Sequence, residues 1–286
     1  MFTMNYYANK YVERQMKRKF YILKRILLSL VLWASFNNII HCQNSKHDTI
    51  PVKIIELAQG CKLVLDTNIN TTDSLSIEII SKIVDIMPRI QTLIPADSIT
   101  ISLAISSSEV LPMLGVGSRT TSDHSLLFYF DPKNPNFKVE FVIRGLVHEC
   151  LHPTRFRMPQ WELTLLECMI TEGLADHFMI EVLGGEQPAW SRALTKNEIK
   201  QYMIKVKPIL RIRHEWTQEF NEQYFLPWML FGRKGDDPIP GWTGYTLGWQ
   251  MVENYLKAHP EARASSLVFA PAEVIVRSTP EFVDSK

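Results

Sequence analysis

The sequence predicts an α+β fold in which a small N-terminal β-sheet precedes a mainly helical region. Three observations carry this. Residues 98–106, SITISLAIS, alternate Ile and Leu against small or polar residues, and residues 126–130, LLFYF, form a short apolar run; both are strand patterns. From Lys138 onward, apolar residues recur at helical spacing through several long segments. No internal repeat or sharp shift in composition divides the chain, so residues 43–286 are expected to form a single domain.

The elements follow in order. VKIIEL and KLVLDT are short apolar segments, and residues 74–93 have helical spacing that Pro88 is expected to break or end. After the strand at 98–106 comes LPMLGVGSRT, with Gly115 and Gly117. The strand at Ile99 or the segment 113–118 is a candidate edge for holding an extended peptide by its backbone. DPKNPN is a turn. Residues 138–152 form a helix that Pro153 should distort or stop, because its ring meets the carbonyl of Glu149. A second long helix covers 161–183 and closes at Gly184-Gly185. Gly173 inside it costs about 1 kcal/mol against Ala, which points to a close approach. Further helices are expected at 197–212, 217–230, 244–258 and 271–277, with GRKGDDPIPG as a loop.

The chain has 286 residues, 46% apolar and 21% charged, an ordinary globular composition. A net charge of +1 and the lack of a long Lys/Arg run after the N-terminus exclude a nucleic-acid binder that works by bulk charge. The N-terminus is different. Met16-Lys17-Arg18-Lys19 and Lys24-Arg25 precede the apolar run ILLSLVLWASF, which is too short to span a bilayer. Basic, then apolar, then polar is the order of a secretory signal peptide, so residues 1–42 are read as one and the protein as exported. Cys42 is a candidate for lipid attachment and a membrane tether, although His41 stands where such signals carry a small residue. Cys61, Cys150 and Cys168 fit no Cys-rich zinc spacing, and Cys150 lies on a different helix face from the neighbouring histidines.

The chemistry concentrates in VHECLH. His148 and His152 are four residues apart and project from one helix face, so two imidazoles can reach one ion about 2.0–2.1 Å away. Glu149 stands about 100° round the helix, where it can accept a proton from water without being a ligand. Phe141, Val142, Ile143, Leu146 and Val147 make this helix a buried one, in which an unliganded ionised carboxylate is costly. A third ligand should come from another element, and TEGLADHF supplies Glu172, twenty residues after His152. Asp176, one turn on, can accept the second N–H of a ligand histidine. Glu167 and His177 compete with Glu172 for the ligand position. Gly173 and Ala175 keep the helix surface small and are expected to let the two helices approach.

His148-Glu149-x-x-His152 followed by Glu172-x-x-x-Asp176 resembles the gluzincin pattern of thermolysin-type metallopeptidases, gap length included. More of the chain resembles a bacterial family of predicted zinc-dependent proteases related to the gliding-motility lipoprotein GldB. The blocks that carry it are LGVGSRT, VHECLH, LLECMITEGLADHF, LPWMLFG and PGWTGYTLGWQMVENYL, in that order. The resemblance implies a zincin-like fold and a Zn2+ held by His148, His152 and Glu172. It implies Glu149 as general base and a peptide or protein as substrate. It also implies a second donor to the developing oxyanion, for which Tyr245 is the first candidate and His214 the second. Arg119 could bind a substrate carboxylate. Two other readings stay open: an envelope or gliding-related protein that keeps a zinc site without catalysis, and a zinc hydrolase acting on a non-peptide amide. Oligomeric state is not legible.

Overall fold

The computed structural model describes residues 53–282, all within one compact unit. The expected signal peptide, residues 1–42, and the candidate lipid site Cys42 lie outside the described residues. A five-stranded sheet comes first: β1 (Lys53–Glu56), β2 (Lys62–Leu65), β3 (Thr100–Ile105), β4 (Val116–Ser122) and β5 (Ser125–Phe130). Its order is β1-β2-β3-β5-β4, so β4 is an edge strand. β2, β3 and β5 run parallel, and β1 and β4 run antiparallel to their neighbours. The region after β5 is mostly helical, as the sequence predicts.

Helix α1 (Ser74–Leu93) makes the crossover from β2 to β3. Asp73 caps it, accepting from the Leu75 and Ser76 amides at 3.0 Å each. Ile79, Ile83, Met87 and Ile90 form its buried stripe. Contrary to expectation, the helix runs through Pro88. Pro88 and Val84 are both exposed, so the backbone hydrogen bond that proline cannot donate is lost on the solvent face.

Helix α2 (Val139–Phe156) also continues past its proline, Pro153. The extra turn is held by Arg155, which is fully buried and pairs with Glu167 at 2.5 Å. Its guanidinium also donates to Thr171 Oγ1 and to the carbonyls of Val268 and Ala270. Those bonds outweigh one lost helical bond.

Helix α3 (Leu165–Leu183) starts later than the apolar pattern implies, because Thr164 caps it by accepting from the Glu167 amide. It is buried nearly all round, and Glu167, Thr171, Asp176 and His177 are buried along with its apolar residues. Gly184, at φ 72°, closes it. After a 3-10 turn at Trp190–Arg192 comes α4 (Lys196–Val206), capped by a Thr195/Glu198 box. It ends six residues before the expected point, just ahead of Pro208. Helix α5 begins at Gln218–Phe220 and runs on as a π-helix, Asn221–Leu230, where an α-helix was expected. Helices α6 (Thr243–Ala258) and α7 (Ala272–Val276) complete the chain. Among the described residues, no helix is long and apolar enough to cross a membrane.

Gly173 does mark a close approach, but its partner is α6 rather than α2. A Cβ at Gly173 would lie 2.3 Å from the Gly248 carbonyl oxygen, and one at Gly248 would lie 1.8 Å from that of Met169. Two backbones therefore touch where α3 crosses α6. That crossing brings Tyr245, one turn before Gly248, beside Glu172, the neighbour of Gly173.

Candidate metal centre

Helix α2 presents His148, Glu149 and His152 from its buried middle. Helix α3 packs against it and presents Glu172. His148 Nε2 lies 3.0 Å from Glu172 Oε2, and His152 Nε2 lies 3.7 Å from the same oxygen. One ligand atom from each of the three residues falls within 4.8 Å of the others. Atoms bonded at 2.0–2.1 Å to one tetrahedral ion stand about 3.3 Å apart. The two distances bracket that value, so the cluster can hold a metal ion.

The hydrogen bonds around His148 point the same way. Its Nδ1 lies 2.9 Å from Asp176 Oδ1, so Nδ1 carries a proton and donates it to that carboxylate. The lone pair of a neutral Nε2 would then face Glu172 Oε2, so a proton or a cation belongs between them. In the metal-free chain a proton serves. Burial pulls the His148 pKa down, but the carboxylates of Asp176 and Glu172 overcome it and raise the pKa well above its ordinary value. His152 goes the other way: burial, only partly offset by Glu172, lowers it to about 4, so it stays neutral and ready to bind.

Glu149 is not part of the ligand cluster. Its two oxygens accept from hydroxyls on β4, Ser118 at 2.8 Å and Thr120 at 3.0 Å. The sequence reading missed both residues. Their spacing of two places both side chains on one face of the strand, but that says nothing of which helix the face meets. Asp176 is fully buried and takes two further donors that the sequence did not reveal, Trp190 Nε1 and Ser191 Oγ.

Tyr245 comes to the site. Burial, and then the charges of Glu172, Glu149 and Asp176, hold its phenol well above the ordinary value, so it remains a proton donor. The competing candidates have other partners. Glu167 turns to Arg155 and Thr171. His177 stacks on Trp249 with ring centroids 3.7 Å apart. His214 packs against Phe220 and Tyr224. Arg119 pairs with Glu109 at 3.7 Å. Cys150 is buried in the core, and among the described residues Cys61, Cys150 and Cys168 are free thiols.

A family model described as "Predicted Zn-dependent protease (DUF2268)" matches residues 79–277, and the chain belongs to this family. A stretch of 136 residues is 30% identical to the uncharacterized protein YjaZ of Bacillus subtilis (strain 168), covering 46% of this chain and 48% of that protein. The match thus spans about half of the relative's length. Among solved structures, an aminopeptidase N family protein from Idiomarina loihiensis is similar over 79% of this chain and 40% of that one, with a TM-score of 0.44 and 11% identity.

Proposed function

We propose that this chain is a zinc-dependent metallopeptidase in which His148, His152 and Glu172 hold the metal and Glu149 is the general base. The observation that carries the reading is a three-ligand cluster beside a carboxylate that is not a ligand. A structural zinc site closes with four protein ligands, whereas a catalytic one keeps three and an open position. Bound there, zinc supplies Lewis acidity and brings the pKa of water to about 7.

The chain's own groups do the rest. Glu149 takes the proton of the attacking water and delivers it to the leaving amine. Ser118 and Thr120 hold its carboxylate in one orientation. Tyr245 donates to the developing oxyanion. Asp176 keeps the proton of His148 on Nδ1 and frees Nε2 for the metal.

The family description supports a peptide as substrate, and so does β4. The Leu111 amide bonds to the Val116 carbonyl on the side of β4 away from β5. By alternation, Ser118 and Thr120 also turn their backbone groups to that side. An extended peptide could pair there while their side chains hold Glu149.

The test is zinc content by elemental mass spectrometry, then hydrolysis of a mixed peptide library. We expect about one zinc per chain, lost in His148→Ala. Glu149→Gln should keep the zinc and lower kcat/KM by about 10²–10⁴. A chain that stays zinc-free after supplementation at neutral pH would sink the proposal.

We also propose export, on the basic-then-apolar order of residues 16–36. The mass of the N-terminal peptide from cell-envelope fractions checks this. Cleavage near Cys42, with or without an added lipid, is expected; an uncleaved N-terminus in those fractions would refute it.

A further inference from the structure

We propose that the 3-10 turn Trp190–Arg192 is part of the metal centre, with Trp190 and Ser191 acting as positioning residues that set metal affinity through Asp176. The inference rests on the zinc reading above. Asp176 comes from α3 and is 0% exposed. Its Oδ1 meets His148 Nδ1 at 2.9 Å and Trp190 Nε1 at 3.2 Å. Its Oδ2 takes Trp190 Nε1 at 3.1 Å and the Ser191 hydroxyl. Ser191 is itself 0% exposed, so water cannot replace its hydroxyl without a rearrangement.

A buried carboxylate with a single imidazole partner is free to rotate about its side chain, and the imidazole turns with it. Donors on both oxygens remove that freedom. The His148 ring is then held with Nε2 aimed at Glu172. The turn is itself braced. Thr246 Oγ1 lies 3.2 Å from the Trp190 carbonyl, and the Ala193 amide donates to Thr246 Oγ1 at 3.2 Å. Thr246 follows Tyr245 on α6. One helix therefore supplies the candidate oxyanion donor and, through the next residue, supports the turn that orients a ligand.

The test is the zinc dissociation constant of the full chain, measured by competition with a chelator, with the thermal midpoint of the metal-free protein read alongside. Loss of an outer partner typically costs 10–100-fold in metal affinity, and these residues stand one step further out. We expect Ser191→Ala to weaken zinc binding about tenfold and Ser191→Thr, which keeps the hydroxyl, to restore it to within about twofold. Trp190→Phe keeps the ring, removes only the N–H, and should weaken zinc about fivefold. It also serves if Ser191→Ala fails to fold. A lower midpoint with unchanged zinc affinity in these variants overturns the proposal and leaves the turn a packing element. If the unsubstituted chain binds no zinc, the functional reading falls and takes this inference with it; that outcome is read from the wild-type arm alone.

Discussion

Two clusters of buried charge join α2 to α3 about one helical turn apart, and they are built differently. In the first, Arg155 meets Glu167 and Thr171, and its remaining donors go to carbonyls near the C-terminus. A guanidinium does not give up its proton in proteins, so the charge there is fixed and balanced. In the second, His148 and His152 meet Glu172 and Asp176, with Glu149 alongside. Three carboxylates face two imidazoles, and an imidazole can exchange a proton for a metal ion. The first cluster is complete as it stands. The second can be completed by a cation. Burial alone does not mark a functional site; the kind of charge that is buried does.

The sharpest way to break this comparison is to remove Arg155. Arg155→Leu leaves Glu167 buried and unpaired, and should cost about 3–5 kcal/mol of stability in urea unfolding. Zinc stoichiometry of the folded fraction should not change. Adding Glu167→Met should recover part of the loss, because a pair replaced by apolar side chains leaves no stranded charge. Loss of zinc from a folded Arg155→Leu protein would mean that the two clusters are one.

Acid should act on the second cluster through His152. Its folded pKa is lowered to about 4, against an unfolded value near 6.5. As pH falls between these values, the unfolded chain takes up a proton that the folded chain refuses. The metal-free protein should therefore lose about 3 kcal/mol over that window. His148, raised in the folded state, contributes stability that is already complete below pH 6.5 and so adds no slope there. The difference in unfolding free energy between wild type and His152→Gln, followed from pH 7 to 4, isolates the effect. No pH dependence in that difference would mean that His152 is not buried as a neutral ring.

The helices and the candidate ligand cluster were legible because a helix turns sequence spacing into direction. His148 and His152, and likewise Glu172 and Asp176, share a face wherever their helices go. What was hidden depends on which faces meet. Ser118 lies thirty-one residues before Glu149, and only the packing of β4 on α2 joins them. Ser191 reaches Asp176 from a short turn with no pattern of its own. Gly173 was readable as a close contact, but not as a contact with Gly248, because a missing Cβ names no partner. Pro88 and Pro153 misled for a related reason. One is cheap where solvent takes the lost bond, and the other is outweighed by Arg155, whose partners lie up to 115 residues away.

The smallest expected effect tests the part of the site that the sequence hid. Thr120→Val keeps the shape of the side chain and removes the donor to Glu149 Oε2; Ser118→Ala removes the donor to Oε1. Each hydrogen bond to an ionised carboxylate is charge-assisted, worth about 1.5–3 kcal/mol at most, and one remains in each single variant. Each should therefore lower kcat/KM by roughly tenfold, about 1.4 kcal/mol, far less than Glu149→Gln. Neither hydroxyl belongs to the ligand cluster, so zinc content should stay at the wild-type level. The double variant should lose more than the sum of the singles, because the carboxylate is unrestrained only when both donors are gone. Unchanged kcat/KM in the double variant would make the two hydroxyls neighbours of Glu149 and nothing more. It would leave the backbone of that strand, rather than its hydroxyls, as what β4 contributes to the site.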